Sequence, residues 1–519
     1  MRDTGIDNIK TKDGKPAPEK KLDWQTIIIP LAVVILLSVI FMVCPEQSSR
    51  ILGMLRKIAG DECGLYYAVL GLVILGCTLY AAFSRFGQIR LGEGSSPRYS
   101  SFRWGTMIFT STMAADILFY SLCEWALYAN EPYIEELGGI QKWAATYPLF
   151  HWGPVAWGFY IMLAAAFGFM LHVRKRDKQK FSEACRPLLG SRTDGGWGRV
   201  IDLIAVFALI AGTATTFSLA TPLMSSAIAR ILGISSGTGI TIAVLLLVAF
   251  VYTFTVWFGM KGISRLASCC VFLFLFLLMY VLIGGGEMRY ILETGFSALG
   301  NLAQNFISMA TWMDPLRENS FPQNWTIYYW AYWMVWCVAT PFFIGMISEG
   351  RTIKNMVLGG YAWGLAGTFT SFIILGNYGM AQELKKGICI SEYIADGGTY
   401  ADAILKIFDT LPLSGFAILL LVVTMISFYS TTFDALTMVV SAYSYQKLSA
   451  KEEPGKKVRT FWAVTFILFP IALIFAQESM YSLQSVSIIA AFPIGIIILL
   501  ITISFFKDAN AYLKANRLK

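Results

Sequence analysis

Histidine is nearly absent from this sequence, and cysteine shows no metal-binding or redox pattern. The 519 residues include two histidines, His151 and His172, and nine cysteines that form no CxxC pair. Metal sites and histidine-based nucleophilic triads need clustered side chains of these types, so we expect no enzyme, no metal centre and no bound cofactor. Cys44 and Cys63 flank the first loop and could form a disulfide bond, although coincidence is the simpler interpretation.

Charged residues are scarce as well. Only 14% of the chain is charged, whereas 56% is hydrophobic, and the mean hydropathy is +0.60. A soluble domain of this length needs far more polar surface, so the composition indicates a protein that crosses a membrane several times. The first 22 residues are polar and rich in lysine, and they do not resemble a secretory signal.

Twelve apolar runs are long enough to cross a bilayer as helices, which takes about 20 residues. Backbone inside lipid must satisfy its own hydrogen bonds, which favours helices over isolated strands. The runs cover residues 26–45, 65–84, 105–128, 147–173, 200–228, 240–260, 265–285, 326–347, 357–379, 414–444, 459–476 and 484–506. The predicted fold class is an all-α membrane protein with twelve transmembrane helices.

Lysine and arginine concentrate in the loops on one side of these helices. The basic loops are 84–103, 174–199, 349–355 and 447–459. Because basic loops stay in the cytoplasm, we predict a multi-pass protein of the cytoplasmic (inner) membrane. Its tails, residues 1–25 and 509–519, are then both cytoplasmic. The net charge of +8 reflects this topology, or contact with lipid, and not nucleic-acid binding.

Two further segments connect the spans. Residues 287–314 have apolar positions at helical spacing, which predicts a helix that lies along the membrane surface or packs between subunits. The loop 380–410 is long and mixed in charge, and we expect it to form an external cap.

Three carboxylates stand out inside the predicted spans: Asp116 and Glu124 in the third, and Asp434 in the tenth. Charged residues at membrane depth are costly and usually serve function. Asp116 is the strongest functional candidate, since it lies well inside its apolar run. Each of the three can instead be a hydrogen-bonding or ion-pair partner of a neighbouring helix.

Hydroxyl groups enter the fifth and tenth spans. The motif YSTTFD places Thr431 and Thr432 side by side, and AGTATTFSLATP covers residues 211–222. Hydroxyl and carbonyl oxygens suit a sodium ion inside a membrane protein. Hydrogen bonds between helices are the commoner use of intramembrane threonine, and both interpretations stay open.

Aromatic residues form two dense groups on different spans. FHWGPVAWGFY, residues 150–160, contains Trp152, Trp157 and Tyr160 at near-helical spacing, and NWTIYYWAYWMVW covers residues 324–336. Aromatic faces attract quaternary ammonium ions, which have no hydrogen to donate. An aromatic belt at the membrane interface is the alternative. It accounts for Trp325, Tyr328 and Tyr329, which we predict to be interface anchors. It accounts less well for Trp333 and Trp336, about 10–15 Å deeper.

These motifs resemble the betaine/carnitine/choline transporter family. The hallmark of its eighth span is Trp-Thr, three residues, then Trp-x-Trp-Trp, and here it reads NWTIYYWAYW with Tyr332 at the third tryptophan. FHWGPVAW, GRVIDLIAVFALIAGTATTFSLATPL and GRTIKNMVLG also resemble family segments. The similarity covers about residues 26–508, which predicts a single transporter domain there.

The resemblance implies two leading helices followed by a five-plus-five inverted repeat, the leucine-transporter-type fold. The first repeat covers about residues 105–285 and the second about 326–506, with the surface helix 287–314 between them. Substrate then binds near the membrane midplane. The resemblance also implies a homotrimer in which the surface helix lies at the subunit contact.

Site residues follow from the resemblance position by position. The implied substrate box comprises Phe119, Trp152, Trp157, Tyr160 and Trp333. Trp336, with Tyr332 nearby, forms a second cage nearer the cytoplasm. For ion coupling, Thr431 and Thr432 match a hydroxyl pair used by sodium-coupled members, and Thr213 matches a threonine near another proposed sodium position.

The sequence departs from the family pattern at four places. The glycine-rich bend of the third span reads TMAAD here, with Asp116 where sodium-coupled betaine carriers have glycine. Some proton-coupled choline carriers of the family have aspartate at that place. The proline of the eighth span is displaced to Pro341. Cys270 stands where sodium-independent carnitine antiporters have a basic residue, which argues against the antiport type.

The sequence therefore predicts a secondary active transporter of trimethylammonium compounds such as glycine betaine, choline or carnitine. Asp116 favours a co-transported proton, whereas Thr431 and Thr432 allow sodium. Asp116 can instead serve as counter-charge to choline, which lacks a carboxylate of its own. A carnitine-type antiporter is the alternative within the class, and a channel or a transporter-like sensor is the alternative outside it.

Overall fold

The chain is almost entirely helical. The computed structural model describes residues 21–94, 96–112, 115–257, 260–448, 452–476 and 479–517. Most of the predicted N-terminal tail, the centre of the TMAAD motif and the last two residues lie outside this description. Within it, the β-type pairing consists of two isolated bridges, Leu22 with Tyr445 and Arg90 with Thr352. The predicted all-α class is confirmed.

Each predicted apolar run coincides with a helix or with two consecutive helices. In chain order these are Trp24–Val43, Gly64–Phe83, Ser101–Thr112 with Ala115–Ala129, Ile140–Val173, Gly196–Leu232, Thr238–Trp257, Met260–Met279 with the π-turn Tyr280–Gly284, Pro322–Trp336 with Thr340–Ile347, Ile353–Lys386, Ser414–Tyr443, Lys456–Phe475 and Met480–Arg517. We number them as the first to twelfth spans. Among the described residues, eight helices are long and apolar enough to cross a membrane, and ten spans qualify if bent pairs count as one.

The spans differ in how much protein surrounds them. The fourth span has 94% of its apolar window buried inside the protein, whereas the first span has 28%. Exposed positions of the outer spans carry large apolar side chains, such as Leu36, Phe250 and Phe272. A helix that is apolar on its exposed face as well as its buried face suits a lipid environment. The fourth span is thus the centre of the fold.

Two breaks interrupt the central spans. The eighth span bends by 54° between Trp336 and Thr340, and Pro341 lies in the first turn of the second half. Proline fits there because the first backbone N–H groups of a helix have no partner within it. The fourth span breaks at Gly153, and Pro154 opens the next helix in the same way. Both breaks adjoin the aromatic motifs.

The segment after the seventh span forms the predicted additional helix, Met288–Thr311, which turns 112° from that span. Its exposed face carries Phe296 and Ile307. At its start, Glu287 forms ion pairs with Lys385 and Lys386 of the ninth span. The turn and the amphipathic face suit a surface helix, whose contact with a membrane or another subunit stays a prediction.

The loop after the ninth span folds into two short helices, Ile390–Ala395 and Tyr400–Asp409. Both pack on the second half of the third span. Asn130, just beyond the end of that span, donates a hydrogen bond to the backbone oxygen of Ser391 at 2.9 Å. The loop therefore covers one end of the third span, as the sequence predicts for a cap, and its sidedness stays a prediction.

The first loop is held without a disulfide bond, because Cys44 and Cys63 are both free thiols. Its helix Pro45–Arg56 ends at a buried guanidinium. Arg56 donates to the backbone oxygen of Tyr481 at 3.1 Å and lies 3.8 Å from the centre of its ring. Arg56 thus anchors the loop to the twelfth span.

Candidate functional site

Four aromatic rings of the fourth and eighth spans meet at the centre of the fold. The centroid of Trp333 lies 4.6 Å from that of Tyr160, 5.3 Å from Trp157 and 5.7 Å from Trp152. All four side chains are buried. Trp157 and Tyr160 share a face because they are three residues apart on one helix. We call these four residues the ring cluster, and the structure brings them together as the sequence predicts.

The breaks and a glycine permit this close packing. Trp152 precedes the break at Gly153 and therefore does not belong to the helix that carries Trp157. Its ring approaches Trp333 from a different direction than the ring of Trp157. On the ninth span, a Cβ atom at Gly364 would lie 2.5 Å from the Trp157 ring. Such an approach leaves no room for a side chain at that position.

The chemistry of the cluster suits a cationic ligand. The indole N–H groups of Trp157 and Trp333 have no hydrogen-bond partner among the described residues. Ring faces carry negative electrostatic potential and attract cations, most strongly when both partners are removed from water. A quaternary ammonium ion needs no hydrogen-bond acceptor, so this arrangement matches its chemistry.

The other predicted substrate residues lie beside the cluster. Tyr332 is 6.5 Å from both Trp152 and Trp336, measured between ring centroids. Trp336 packs where Gly212 of the fifth span allows close approach, since a Cβ atom there would lie 3.2 Å from the indole nitrogen. Phe119 has ring contacts with Tyr120 and Tyr400, one ring removed from the cluster.

Phe372 lies beside Trp152, with ring centroids 5.2 Å apart. The sequence does not predict this neighbour. It lies in a π-helical turn of the ninth span, Phe372–Gly376. A single phenylalanine in an apolar run carries no functional signal, so sequence reasoning missed this neighbour.

Asp116 is buried at the start of the helix Ala115–Ala129 and faces the eighth span. The Tyr332 hydroxyl donates a hydrogen bond to its Oδ2 atom and also bonds with the Thr216 hydroxyl of the fifth span. Its Oδ1 atom has no partner among the described residues. Two of the departures from the family pattern, Asp116 and Tyr332, are therefore in direct contact.

The other two intramembrane carboxylates have different environments. Asp434 forms an ion pair with Arg459 of the eleventh span, and both side chains are largely buried. This pairing supports the structural interpretation of Asp434. Glu124 is fully buried and accepts hydrogen bonds from Tyr128 at 2.6 Å and from Trp152 at 2.8 Å. Glu124 therefore contacts the ring cluster directly.

Two of the predicted ion-coupling threonines, Thr213 and Thr431, donate their hydroxyl hydrogens to their own helices. Thr213 donates to the backbone oxygen of Leu209 at 2.6 Å. Thr431 bonds to the backbone oxygens of Ser427 and Phe428 at 3.2 and 3.0 Å. Thr432 is largely buried. A hydroxyl that donates its hydrogen keeps lone pairs that can still bind a sodium ion. The contacts therefore do not distinguish a sodium site from ordinary hydrogen bonding.

The predicted interface anchors are buried in the protein, so that prediction is wrong. Tyr328 and Tyr329 are 0% exposed, and Trp325 is 9% exposed. The Tyr328 hydroxyl bonds with that of Tyr120 at 2.7 Å, and the Trp325 indole donates to Glu131 at 2.7 Å. The third and fourth spans supply surfaces that cover them.

Comparisons with known proteins agree with this architecture. Residues 25–514 match the model of a family described as "BCCT, betaine/carnitine/choline family transporter". A probable glycine betaine transporter of Desulfitobacterium hafniense is 28% identical over 93% of this chain and 97% of its own. A carnitine transporter of Acinetobacter baumannii is 27% identical, with 85% of this chain and 80% of its own covered. The glycine betaine transporter OpuD of Bacillus subtilis is 25% identical over 94% of both chains.

Proposed function

This chain belongs to the betaine/carnitine/choline transporter family, and we propose that it carries a trimethylammonium compound across the cytoplasmic membrane by alternating access. It is a multi-pass membrane transporter and not an enzyme. The observation that carries the proposal is the ring cluster, in which three rings surround Trp333. Each desolvated ring contributes about 2 kcal/mol of cation attraction.

We propose choline, glycine betaine or carnitine as substrates, with choline favoured by Asp116. Choline carries a full positive charge and no carboxylate, whereas betaine and carnitine each contain a carboxylate. An ionised carboxylate beside the cluster supplies the missing counter-charge, which is the alternative to proton binding at Asp116. The unpartnered Oδ1 atom of Asp116 supports this role.

We propose that a proton is the coupling ion and that Asp116 binds it. No lysine or arginine of the described chain forms an ion pair with Asp116. A carboxylate at membrane depth without a cationic partner suits reversible proton binding. Sodium at Thr431 and Thr432 is the second candidate, supported by their buried or half-buried position on the tenth span.

We also propose the orientation and the assembly. The basic loops 84–103, 174–199, 349–355 and 447–459 support cytoplasmic termini. The exposed apolar face of the helix Met288–Thr311 supports its role as the contact of a homotrimer. The broken eighth span supports a hinge for alternating access, since its two halves meet beside the cluster.

Uptake into proteoliposomes tests the substrate and the coupling ion together. Labelled choline, betaine and carnitine are offered with a proton gradient or a sodium gradient imposed separately. We expect accumulation with the acidic side outside, no added effect of sodium, and unchanged uptake in the variant Thr431→Ala/Thr432→Ala. Accumulation driven by sodium and lost in that variant would contradict proton coupling. Transport that requires substrate on the opposite side would instead identify an antiporter.

A further inference from the structure

Glu124 is joined to the ring cluster through a single indole. The Nε1 atom of Trp152 donates to Oε2 of Glu124 at 2.8 Å, while the indoles of Trp157 and Trp333 have no partner among the described residues. Glu124 is 0% exposed. Of the three tryptophans in the cluster, Trp152 is therefore the one that has a carboxylate at the edge of its ring.

A chain of hydrogen bonds reaches Glu124 from the other side. The Tyr128 hydroxyl lies 2.6 Å from Glu124 Oε1 and 2.6 Å from Nδ1 of His151. Nε2 of His151 lies 2.9 Å from the Thr326 hydroxyl. With the imidazole hydrogen on Nδ1, every hydrogen in the chain is directed toward the carboxylate. Hydrogen bonds aligned in this way reinforce each other and stabilise a negative charge at their end.

Nothing in the surroundings neutralises that charge with a fixed cation. In the described ranges, no lysine or arginine forms an ion pair with Glu124, and His151 is its nearest basic group, at 3.8 Å. Tyr128 on its own helix and Tyr329 on the eighth span are the neighbouring phenols. An ionised Glu124 therefore directs its field into the apolar centre of the fold with little screening.

We propose that the hydrogen bonds from Tyr128 and Trp152 keep Glu124 ionised and that it is a specificity-determining residue of the cation site, on the basis of the function proposed above. A carboxylate that accepts the indole hydrogen draws positive charge to the ring edge and makes the face of Trp152 more negative. Its field attracts a positively charged head group and has no effect on an uncharged group of the same shape. Glu124 thus selects for the charge of the ligand, while the four rings select for its shape.

The chain contains a matched control for this proposal. Glu131 accepts a hydrogen bond from the Trp325 indole at 2.7 Å, the same carboxylate–indole pair at the end of the third span. Trp325 has ring contacts with Tyr128 and Tyr329 and none with the ring cluster among the described residues. Glu131→Gln therefore changes an equivalent pair outside the cluster.

The experiment compares choline with 3,3-dimethylbutan-1-ol, its uncharged isostere, on the purified full-length protein. Choline is titrated directly, and the isostere is measured by competition with choline. In Glu124→Gln the amide oxygen still accepts the Trp152 hydrogen, so the ring stays in place while the charge is removed. We expect the dissociation constant for choline to rise about tenfold, with little change for the isostere. Glu131→Gln changes neither.

A second variant keeps the test independent of the folding of the first. Trp152→Phe retains a ring and removes the indole hydrogen that couples it to Glu124, while Glu124 keeps its charge, so we expect a smaller loss of choline affinity than in Glu124→Gln, again with little change for the isostere. Equal weakening of choline and isostere binding in Glu124→Gln would mean that Glu124 only positions Trp152. Unchanged choline binding would mean that Glu124 has no role in the site. Either result overturns the proposal. If the wild-type protein binds no trimethylammonium compound, the proposed function falls, and this inference falls with it.

Discussion

Replacement of Trp333 by leucine is expected to abolish measurable uptake of trimethylammonium substrates. Its ring is the centre of the cluster, with three rings within 5.7 Å. Loss of one desolvated ring removes about 2 kcal/mol of cation attraction, which is ~30-fold in affinity. The loss is larger here, since the removal of the central ring also separates the other three. Uptake and direct binding are measured at matched protein levels.

Trp330→Leu is the matched control for this variant. Trp330 lies on the same helix, is fully buried, and has a ring contact with Phe150 and none with the cluster among the described residues. Its replacement removes the same volume from the core and lowers stability to a similar degree. We expect it to retain substrate affinity. Undiminished binding in Trp333→Leu, or an equal loss in both variants, would contradict the role of the cluster.

Asp116→Asn is expected to remove the response of uptake to an imposed pH gradient. Asparagine has nearly the shape of aspartate and still accepts the hydrogen bond from Tyr332, but it cannot bind or release a proton. If Asp116 is instead the ionised counter-charge of choline, the variant keeps its pH response and choline uptake falls by more than about tenfold. Both effects are measured in proteoliposomes with the inside and outside pH set independently.

Two further variants separate the role of Asp116 from general effects. Asp434→Asn changes another buried carboxylate, which is paired with Arg459, and we expect lower thermal stability with the pH response retained. Tyr332→Phe removes the hydroxyl that links Asp116 to Thr216 and leaves the ring in place. A pH response that persists in Asp116→Asn would exclude Asp116 as the proton carrier.

The helices and the ring cluster could be predicted from the sequence because their signals are local or carried by a family motif. Apolar runs of about 20 residues mark spans whatever surrounds them. Trp157 and Tyr160 share a helix face through their spacing alone. Their approach to Trp333 joins two spans, and the resemblance to the family supplied that contact.

The environment of the remaining aromatics could not be predicted. Hydropathy does not distinguish a ring that faces lipid from one that faces protein, and Tyr328 and Tyr329 therefore looked like interface anchors. The spacing of Glu124 and Tyr128 indicates a hydrogen bond along one helix. Nothing in a single sequence places His151 at the end of that pair, because the contact joins two spans.

A structure determined with choline bound tests the central claim most directly. We expect the quaternary nitrogen within about 6 Å of the ring centroids of Trp152, Trp157, Tyr160 and Trp333. Its hydroxyl end is then free to approach Asp116. A choline molecule bound elsewhere, for example in the cavity of about 390 Å³ lined by Tyr133, Trp143, Tyr147 and Trp312, with the ring cluster unchanged, would contradict the claim.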